Sequence, residues 1–114
     1  MTEDRCRRLQ FVLGLAQKAG QLASGDFGVM QVLKSRKAKL LIVAADAAPH
    51  TAETLRYQAG LAQIPAVTGC SAVEQGSAIG KGQRVSVAVL SKNFAEMVIK
   101  IVKQEDVNHG KESV

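Results

Sequence analysis

The chain has 114 residues, close to the commonest single-domain size, and 46% of them are hydrophobic, as in an ordinary globular protein. With three Phe, one Tyr and no Trp, its core must come from small aliphatic side chains, and an aromatic platform that stacks single-stranded bases is disfavoured. No run of about 18 apolar residues occurs, so no membrane span is predicted.

The net charge of +5 is distributed unevenly. Residues 1–39 contain eight basic residues (Lys or Arg) and three acidic ones. Residues 40–80 contain one basic and three acidic residues, and residues 81–114 contain six basic and four acidic residues. The three parts therefore carry +5, −2 and +2. This pattern predicts one positive face suited to nucleic acid, although solvation by surface lysines is the simpler alternative.

The two cysteines, Cys6 and Cys70, have no metal-binding spacing. The N-terminus is polar and charged and shows no apolar signal segment. A cytoplasmic location is therefore expected, and both cysteines are predicted to be free thiols.

The elements alternate along the chain. Residues 4–19 show the i, i+3, i+4, i+7 apolar stripe of an amphipathic helix, which Gly20 ends. A short strand over 21–24, a helix over 26–35 and a buried strand over 39–44 follow. The remaining predicted elements are a helix from Pro49 to about residue 61, a strand over 64–68, a short helix from Ser71 to Gly76 or Gly80, a strand over 85–90, and a helix from Ser91 to about residue 104.

This order predicts an α/β fold, a three-layer α/β/α sandwich around a mixed sheet of about four strands. Residues 1–104 form a single domain of RNA-binding type in this interpretation. Residues 105–114 are expected to form a polar, flexible tail.

The segment from Ser24 to Gln31 contains the first candidate site. Gly25 stands where a strand becomes a helix, and the first amides of that helix have no partner within it. Such a helix end suits a phosphate or the edge of a base. The simpler alternative is that Ser24 or Asp26 caps the helix and Gly25 makes a turn.

A second glycine-containing basic loop, from Gly80 to Arg84, precedes the last strand. In a compact sandwich the two loops are expected to lie at one edge and to hold a bent RNA backbone from two sides. Recognition of RNA by shape needs amides and cations near phosphates and few base-specific groups.

Signals for catalysis are weak. His50 and His109 are isolated, and no phosphate-binding loop, metal-ligand spacing or nucleophile–base set is present. Asp46 follows a buried strand, where it either lines a site or opens the loop to the next helix, and the second reading is favoured. The sequence predicts no enzyme, no cofactor and no metal site.

Several segments together resemble a known family. They are Leu13-Gly14-Leu15-Ala16-Gln17-Lys18-Ala19-Gly20, Ser24-Gly25, Ala38-Lys39-Leu40-Leu41-Ile42-Val43-Ala44-Ala45-Asp46-Ala47, Ile64-Pro65 and Gly76-Ser77-Ala78-Ile79-Gly80-Lys81. The chain resembles the kink-turn RNA-binding ribosomal protein superfamily of L-seven-Ae and L-thirty-e type over about residues 9–100, and its bacterial YlxQ-type branch most. The resemblance implies an α/β/α sandwich that binds the sharply bent kink-turn through the start of the second helix and the loop before the last strand.

The chain departs from the family's motif, which runs glycine, small residue, asparagine, glutamate and, three positions on, lysine. Gly25 matches, and Asp26 takes the small position. Phe27, Gly28 and Gln31 replace the asparagine, glutamate and lysine that reach the tandem G·A pairs. The scaffold is retained while the base-reading groups are largely replaced.

The prediction is a cytoplasmic, ribosome-associated protein whose partner is structured RNA, ribosomal RNA included. The predicted RNA-binding residues are Gly25, Asp26, Phe27, Gly28, Gln31, Lys34, Lys37, Lys81, Gln83 and Arg84. The glycines present amides, the glutamines bond to base or sugar, and the cations neutralise phosphates. The alternative is a protein-interaction module that docks on ribosomal or transcription proteins with altered or lost kink-turn recognition.

Overall fold

The computed structural model describes residues 1–112, with side chains described for residues 1–103. Helices and strands alternate as predicted. They are α1 (Glu3–Lys18), β1 (Leu22–Ser24), α2 (Asp26–Lys34), β2 (Leu40–Val43), α3 (Pro49–Leu61), β3 (Ala66–Thr68), α4 (Ala72–Ala78), β4 (Ser86–Val89) and α5 (Lys92–Glu112). α5 continues to Glu112, so the predicted end of this helix near residue 104 is wrong. The flexibility predicted for residues 105–114 stays a prediction, because their side chains lie outside the described residues.

The four strands form one mixed sheet in the order β1-β4-β2-β3. β4 pairs antiparallel with both β1 and β2, whereas β2 and β3 are parallel. All four residues of β2 and of β4 are buried, because helices cover both faces of the sheet.

Two apolar clusters occupy the two faces of the sheet. α1, α4 and α5 cover one face, where Leu9, Ile79 and Val98 pack with alternate residues of β2 and β4. α2 and α3 cover the other face, where Leu33 and Leu55 are buried. The predicted α/β/α sandwich is confirmed.

Helix ends follow the predicted signals. Gly20 has a φ of +70°, and the amide of Gln21 reaches back 2.9 Å to the carbonyl oxygen of Ala16, which closes α1. At α4 the Ser71 hydroxyl accepts from the Glu74 amide at 3.2 Å, and the Glu74 carboxylate accepts from the Ser71 amide at 3.0 Å. The predicted capping box is therefore confirmed. Within the described residues, no helix combines the length and apolar character needed to cross a membrane.

The prediction of two free thiols is wrong. Cys6, in the first turns of α1, forms a disulfide with Cys70, which follows β3. Both residues are buried, with a Cα–Cα distance of 5.7 Å. The fold brings the start of α1 onto the β3–α4 junction, and this contact between residues far apart in the chain has no local sequence signal.

Candidate nucleic-acid interface

α2 begins at one edge of the sheet, next to the end of β1 and the start of β4. Ser24 is the last residue of β1 and pairs with Val87, while Ser86 pairs with Val43 at the end of β2. The Gly25 amide donates to the Ser86 carbonyl oxygen at 3.2 Å. This bond fixes the point where the chain leaves the sheet and turns into α2.

The start of α2 has no side-chain cap. Gly25 occupies the cap position with a φ of +83°, a conformation that favours glycine, and within the described residues no side-chain cap hydrogen bond is made there. The alternative in which Ser24 or Asp26 caps the helix is therefore wrong. The first amides of α2 remain directed outward with their partial positive charge.

Arg84 joins the two predicted loops. Its Nε donates to the Ser24 hydroxyl oxygen at 3.1 Å, and its Nη1 donates to the Gln83 carbonyl oxygen at 3.0 Å. A Cβ built on Gly25 would lie 3.8 Å from the same Nε. The predicted adjacency of the two loops is confirmed.

The loop before β4 is held on α4 by backbone contacts. The Lys81 amide donates to the Gly76 carbonyl oxygen, and the Arg84 amide donates to that of Ala72, both at 2.9 Å. Gly76 lies directly against the carbonyl group of Gly82, so a Cβ at residue 76 would overlap that carbonyl. α4 is therefore the platform that sets the position of this loop.

A buried glutamine adds a further contact between α4 and the loop. Gln75 is completely buried and donates through Nε2 to the Arg84 carbonyl oxygen at 3.0 Å. Its Oε1 has no partner within the described residues, and the absence of a side chain at Gly69 leaves space for it. Sequence reasoning did not identify Gln75, because a polar residue in a short helix gives no sign that it will be buried.

Asp46 lies in the loop between β2 and α3 and also contacts a third element. Its Oδ1 accepts from the Ala72 amide at 2.9 Å, so it bonds to the first residue of α4. The favoured interpretation, that Asp46 opens the loop to the next helix, is confirmed, because Asp46 lies in the turn between β2 and α3; the bond to α4 is an addition that was not predicted. The contact crosses from the end of β2 to α4, and the local sequence does not contain that information.

The predicted binding residues fall into two groups. Phe27, 82% exposed, begins a solvent-facing ridge that continues one and two turns later with Gln31 and Lys34. α2 has nine residues and is about 13 Å long. Lys34 is therefore at its far end, and Lys37 follows it shortly before β2, at the opposite end of the strands.

The structure joins the two predicted loops through Arg84, which contacts Ser24 and lies beside Gly25. Asp26, Phe27 and Gly28 follow in the first turn of α2, and Lys81 and Gln83 lie in the loop of Arg84, whereas Lys34 and Lys37 lie at and beyond the other end of α2. Lys81 and Gln83 are exposed and Arg84 is half-buried. Within the described residues, Lys34, Lys37 and Lys81 form no ion pair. Their charges are thus available to phosphate groups.

A groove that sequence reasoning missed lies between the first turns of α2 and α3. Its volume is about 340 Å³. It is lined by Asp26, Met30, His50, Thr51, Thr54 and Leu55. The only sequence signal was the spacing of Asp26 and Met30, which puts them on one side of α2.

Among the described residues, one group of possible metal ligands comes together, namely Cys6, Cys70 and Glu74. Their ligand atoms lie within 4.8 Å of one another. The two sulfurs are bonded to each other and are therefore not the thiolates that metals bind. In this state the cluster does not offer a metal site.

Proteins with similar sequences carry RNA-binding names. RNA-binding protein YlxQ of Bacillus subtilis (strain 168) is 32% identical over 91 residues, which cover 80% of this chain and 91% of the relative. RNA-binding protein YlxQ of Enterococcus faecium is 25% identical over 103 residues, which cover 90% of this chain and 99% of the relative. Both names describe RNA binding, and neither names an enzymatic activity.

Two solved structures share the fold. A Bacillus halodurans protein of unknown function aligns with a TM-score of 0.78 and 30% identity, over 84% of this chain and 97% of that one. The Giardia lamblia 15.5kD RNA binding protein aligns with a TM-score of 0.73 and 19% identity, over 94% of this chain and 92% of that one. At that identity the second likeness concerns the fold alone.

The family model of ribosomal protein L7Ae/L30e/S12e/Gadd45 matches residues 7–101, which include both loops and the sheet between them. The resemblance read from the ordered segments is thereby confirmed: this chain belongs to the ribosomal protein L7Ae/L30e/S12e/Gadd45 family.

Proposed function

We propose that this protein binds structured RNA of kink-turn type, through the start of α2 and the loop of residues 80–84. Family membership and the RNA-binding names of the two sequence relatives support the RNA part of this proposal. The kink-turn specificity rests on the geometry of the site and on the family resemblance.

The observation that carries the proposal is the bridge made by Arg84. Its Nε bonds to Ser24 beside the uncapped start of α2, so outward amides and a guanidinium face the same region. A sharply bent backbone brings phosphates close together, and a surface with donors on two sides matches that crowding. A straight duplex offers no such cluster of phosphates.

The replaced motif residues define what this recognition must use instead. Phe27 has an exposed ring suited to stacking on a base, and Gln31 offers an amide one turn later. Gly28 has no side chain, so its backbone is open to the RNA. Shape and stacking therefore have a larger share here than hydrogen bonds to the G·A pairs.

The test is a titration against a kink-turn RNA and the same RNA with its G·A pairs replaced. The salt concentration should be about 150 mM, at which weak non-specific phosphate binding is reduced. We expect tight binding to the first RNA alone. Equal, weak binding to both would reject kink-turn recognition and favour the alternative of a protein-interaction module on the same scaffold.

We further propose that the target RNA belongs to the ribosome and that binding takes place in the cytoplasm. The positive charge of the chain and the family resemblance support this assignment. Sedimentation of the tagged protein with ribosomal subunits in cell extracts tests it. A protein found only at the top of the gradient, at low as well as moderate salt, would contradict it.

A further inference from the structure

The groove between α2 and α3 is large enough to hold a nucleobase. Its volume of about 340 Å³ lies within the range of about 300–1,000 Å³ found for small-ligand pockets. Leu55 is buried and Met30 half-buried, so they form an apolar floor. Thr51 and Thr54 are exposed at the rim. An apolar slot with polar groups at its margin suits a nucleobase, which has apolar faces and polar edges.

Asp26 indicates which base would fit. It lines the groove at the first position of α2, and its carboxylate has no hydrogen bond or ion pair within the described residues. An ionised carboxylate only accepts, through two oxygens. Guanine alone presents two neighbouring donors on its Watson–Crick edge, N1–H and the N2 amino group, and so satisfies both oxygens at once.

The same carboxylate repels phosphate and therefore separates the base from the backbone. The phosphates would follow the solvent-facing ridge of Phe27, Gln31 and Lys34, while Asp26 and Met30 lie on the flank towards α3. A nucleotide next to the bend can then turn its base into the groove while its backbone stays on the ridge.

We propose that this groove binds one unpaired guanine base, with the Asp26 carboxylate accepting hydrogen bonds from N1–H and the N2 amino group. The proposal rests on the RNA-binding function proposed above and adds base selectivity to it. A free guanine nucleotide presents the same edge, so the experiment has one arm for each source.

The RNA arm uses a kink-turn RNA in which each unpaired guanine is replaced in turn by inosine, which retains N1–H and lacks the amino group. For the unmodified protein we expect one replacement to weaken binding by about tenfold, the scale of one lost base contact. Asp26→Asn should bind the guanine and inosine RNAs equally, because its amide cannot accept both hydrogen bonds. Thr54→Phe should fill the groove and give the same loss.

Glu53→Gln is the matched control. It makes the same chemical change on α3, at an exposed residue that does not line the groove. Its affinity and its response to inosine should equal those of the unmodified protein. Thermal unfolding of every variant separates a loss of fold from a loss of the base contact.

The second arm titrates guanosine monophosphate into the unmodified protein and into Asp26→Asn. The proposal is overturned if no inosine replacement matters, if its effect persists in Asp26→Asn, or if both groove variants bind as the unmodified protein does. If the unmodified protein binds no RNA, the proposed function fails by itself. In that case, binding of guanosine monophosphate that is lost in Asp26→Asn supports the proposed guanine site in the groove. If the nucleotide does not bind the unmodified protein, the proposed guanine site is overturned.

Discussion

The two ends of α2 differ in how their charged and polar groups are held. At the first end, Gly25 is bonded to the sheet and Arg84 is fixed by Ser24 and by the loop on α4. At the other end, Lys34 and Lys37 are exposed on flexible stems. Fixed hydrogen-bond donors favour one shape of the RNA backbone, because they cannot move to match another, whereas mobile lysines attract phosphates in any arrangement. We therefore expect specificity from the first end and salt-dependent affinity from the second.

The largest expected effect comes from removing the disulfide that joins α1 to the β3–α4 junction. The bridge spans 64 residues, and the loop-entropy relation gives it about 4 kcal/mol in the free energy of unfolding. Urea unfolding should show that dithiothreitol destabilises the unmodified protein. The Cys6→Ser/Cys70→Ser variant should not respond to the reductant.

That experiment also tests the platform under the fixed end. The bridge holds the residue before the α4 cap, and α4 carries the loop of residues 80–84. Loss of the bridge should therefore reduce kink-turn preference more than total RNA affinity. Two titratable thiols in the unreduced, folded protein, with no response to reductant, would restore the sequence-based prediction of free thiols.

Gly76→Ala should break the fixed end while leaving the other end intact. The added methyl group overlaps the carbonyl of Gly82, and such overpacking costs about 1–3 kcal/mol. The displaced loop should lose its preference for the kink-turn RNA, whereas the weak salt-dependent binding remains. Parallel titrations against the two RNAs measure this difference.

Gly60→Ala is the control for that change. Nothing lies within 4 Å of a Cβ at this helical glycine, and we expect about 0.5–1 kcal/mol of added stability with unchanged RNA preference. If Gly76→Ala discriminated between the RNAs as the unmodified protein does, the loop would not contribute to specificity.

Arg84→Lys sharpens the comparison by keeping the charge and removing the geometry. The lysine cannot reproduce the bond from Nε to Ser24, so affinity for the kink-turn RNA should fall by about tenfold. The salt slope should stay the same, because the number of cations is unchanged. A reduced slope with intact discrimination would mean that Arg84 serves only as a charge.

Arg56→Lys is the matched control for that substitution. Arg56 also donates to a hydroxyl, that of Thr68 at 2.7 Å, but it lies on α3 and lines neither the ridge nor the loop. Its replacement should change neither the affinity nor the RNA preference, as filter binding at several salt concentrations will show.

Charge reversal at single lysines should give the smallest effects and separate the two ends. Lys37→Glu and Lys81→Glu should each weaken RNA binding by a few-fold and lower the salt slope by about 1. Lys37→Glu should affect both RNAs equally, whereas Lys81→Glu should affect the kink-turn RNA more. Lys100→Glu, on α5 in the other helical layer, is the control. Unchanged RNA affinity in both Lys37→Glu and Lys81→Glu would show that these lysines do not contact the RNA.

The sequence predicted what local patterns determine. The order of elements, the end of α1 at Gly20 and the Ser71–Glu74 capping box all depend on residues within one or two turns. The two loops were predicted from their glycines and charges, and their adjacency from the expected sandwich. Arg84, in the loop before β4, now supplies the bond that joins them.

Contacts between residues far apart in the chain were beyond local patterns. The disulfide joins residues 64 positions apart, and Asp46 bonds to an amide 26 positions away. Lys37 is close to Gly25 in sequence, but α2 lies between them, so Lys37 is found at the opposite end of the strands. The groove needs the side of α3 that faces α2, which only the folded structure defines.

The anchoring of residues 80–84 through α4 has a consequence for protein engineering. Its hydrogen bonds run through the main chain and the buried Gln75, so the exposed side chains of Lys81 and Gln83 do not hold the loop in place. Variants randomised at these two positions should therefore remain folded but differ in the RNA that they bind. This loop is therefore a suitable starting point for selecting variants against chosen RNA targets.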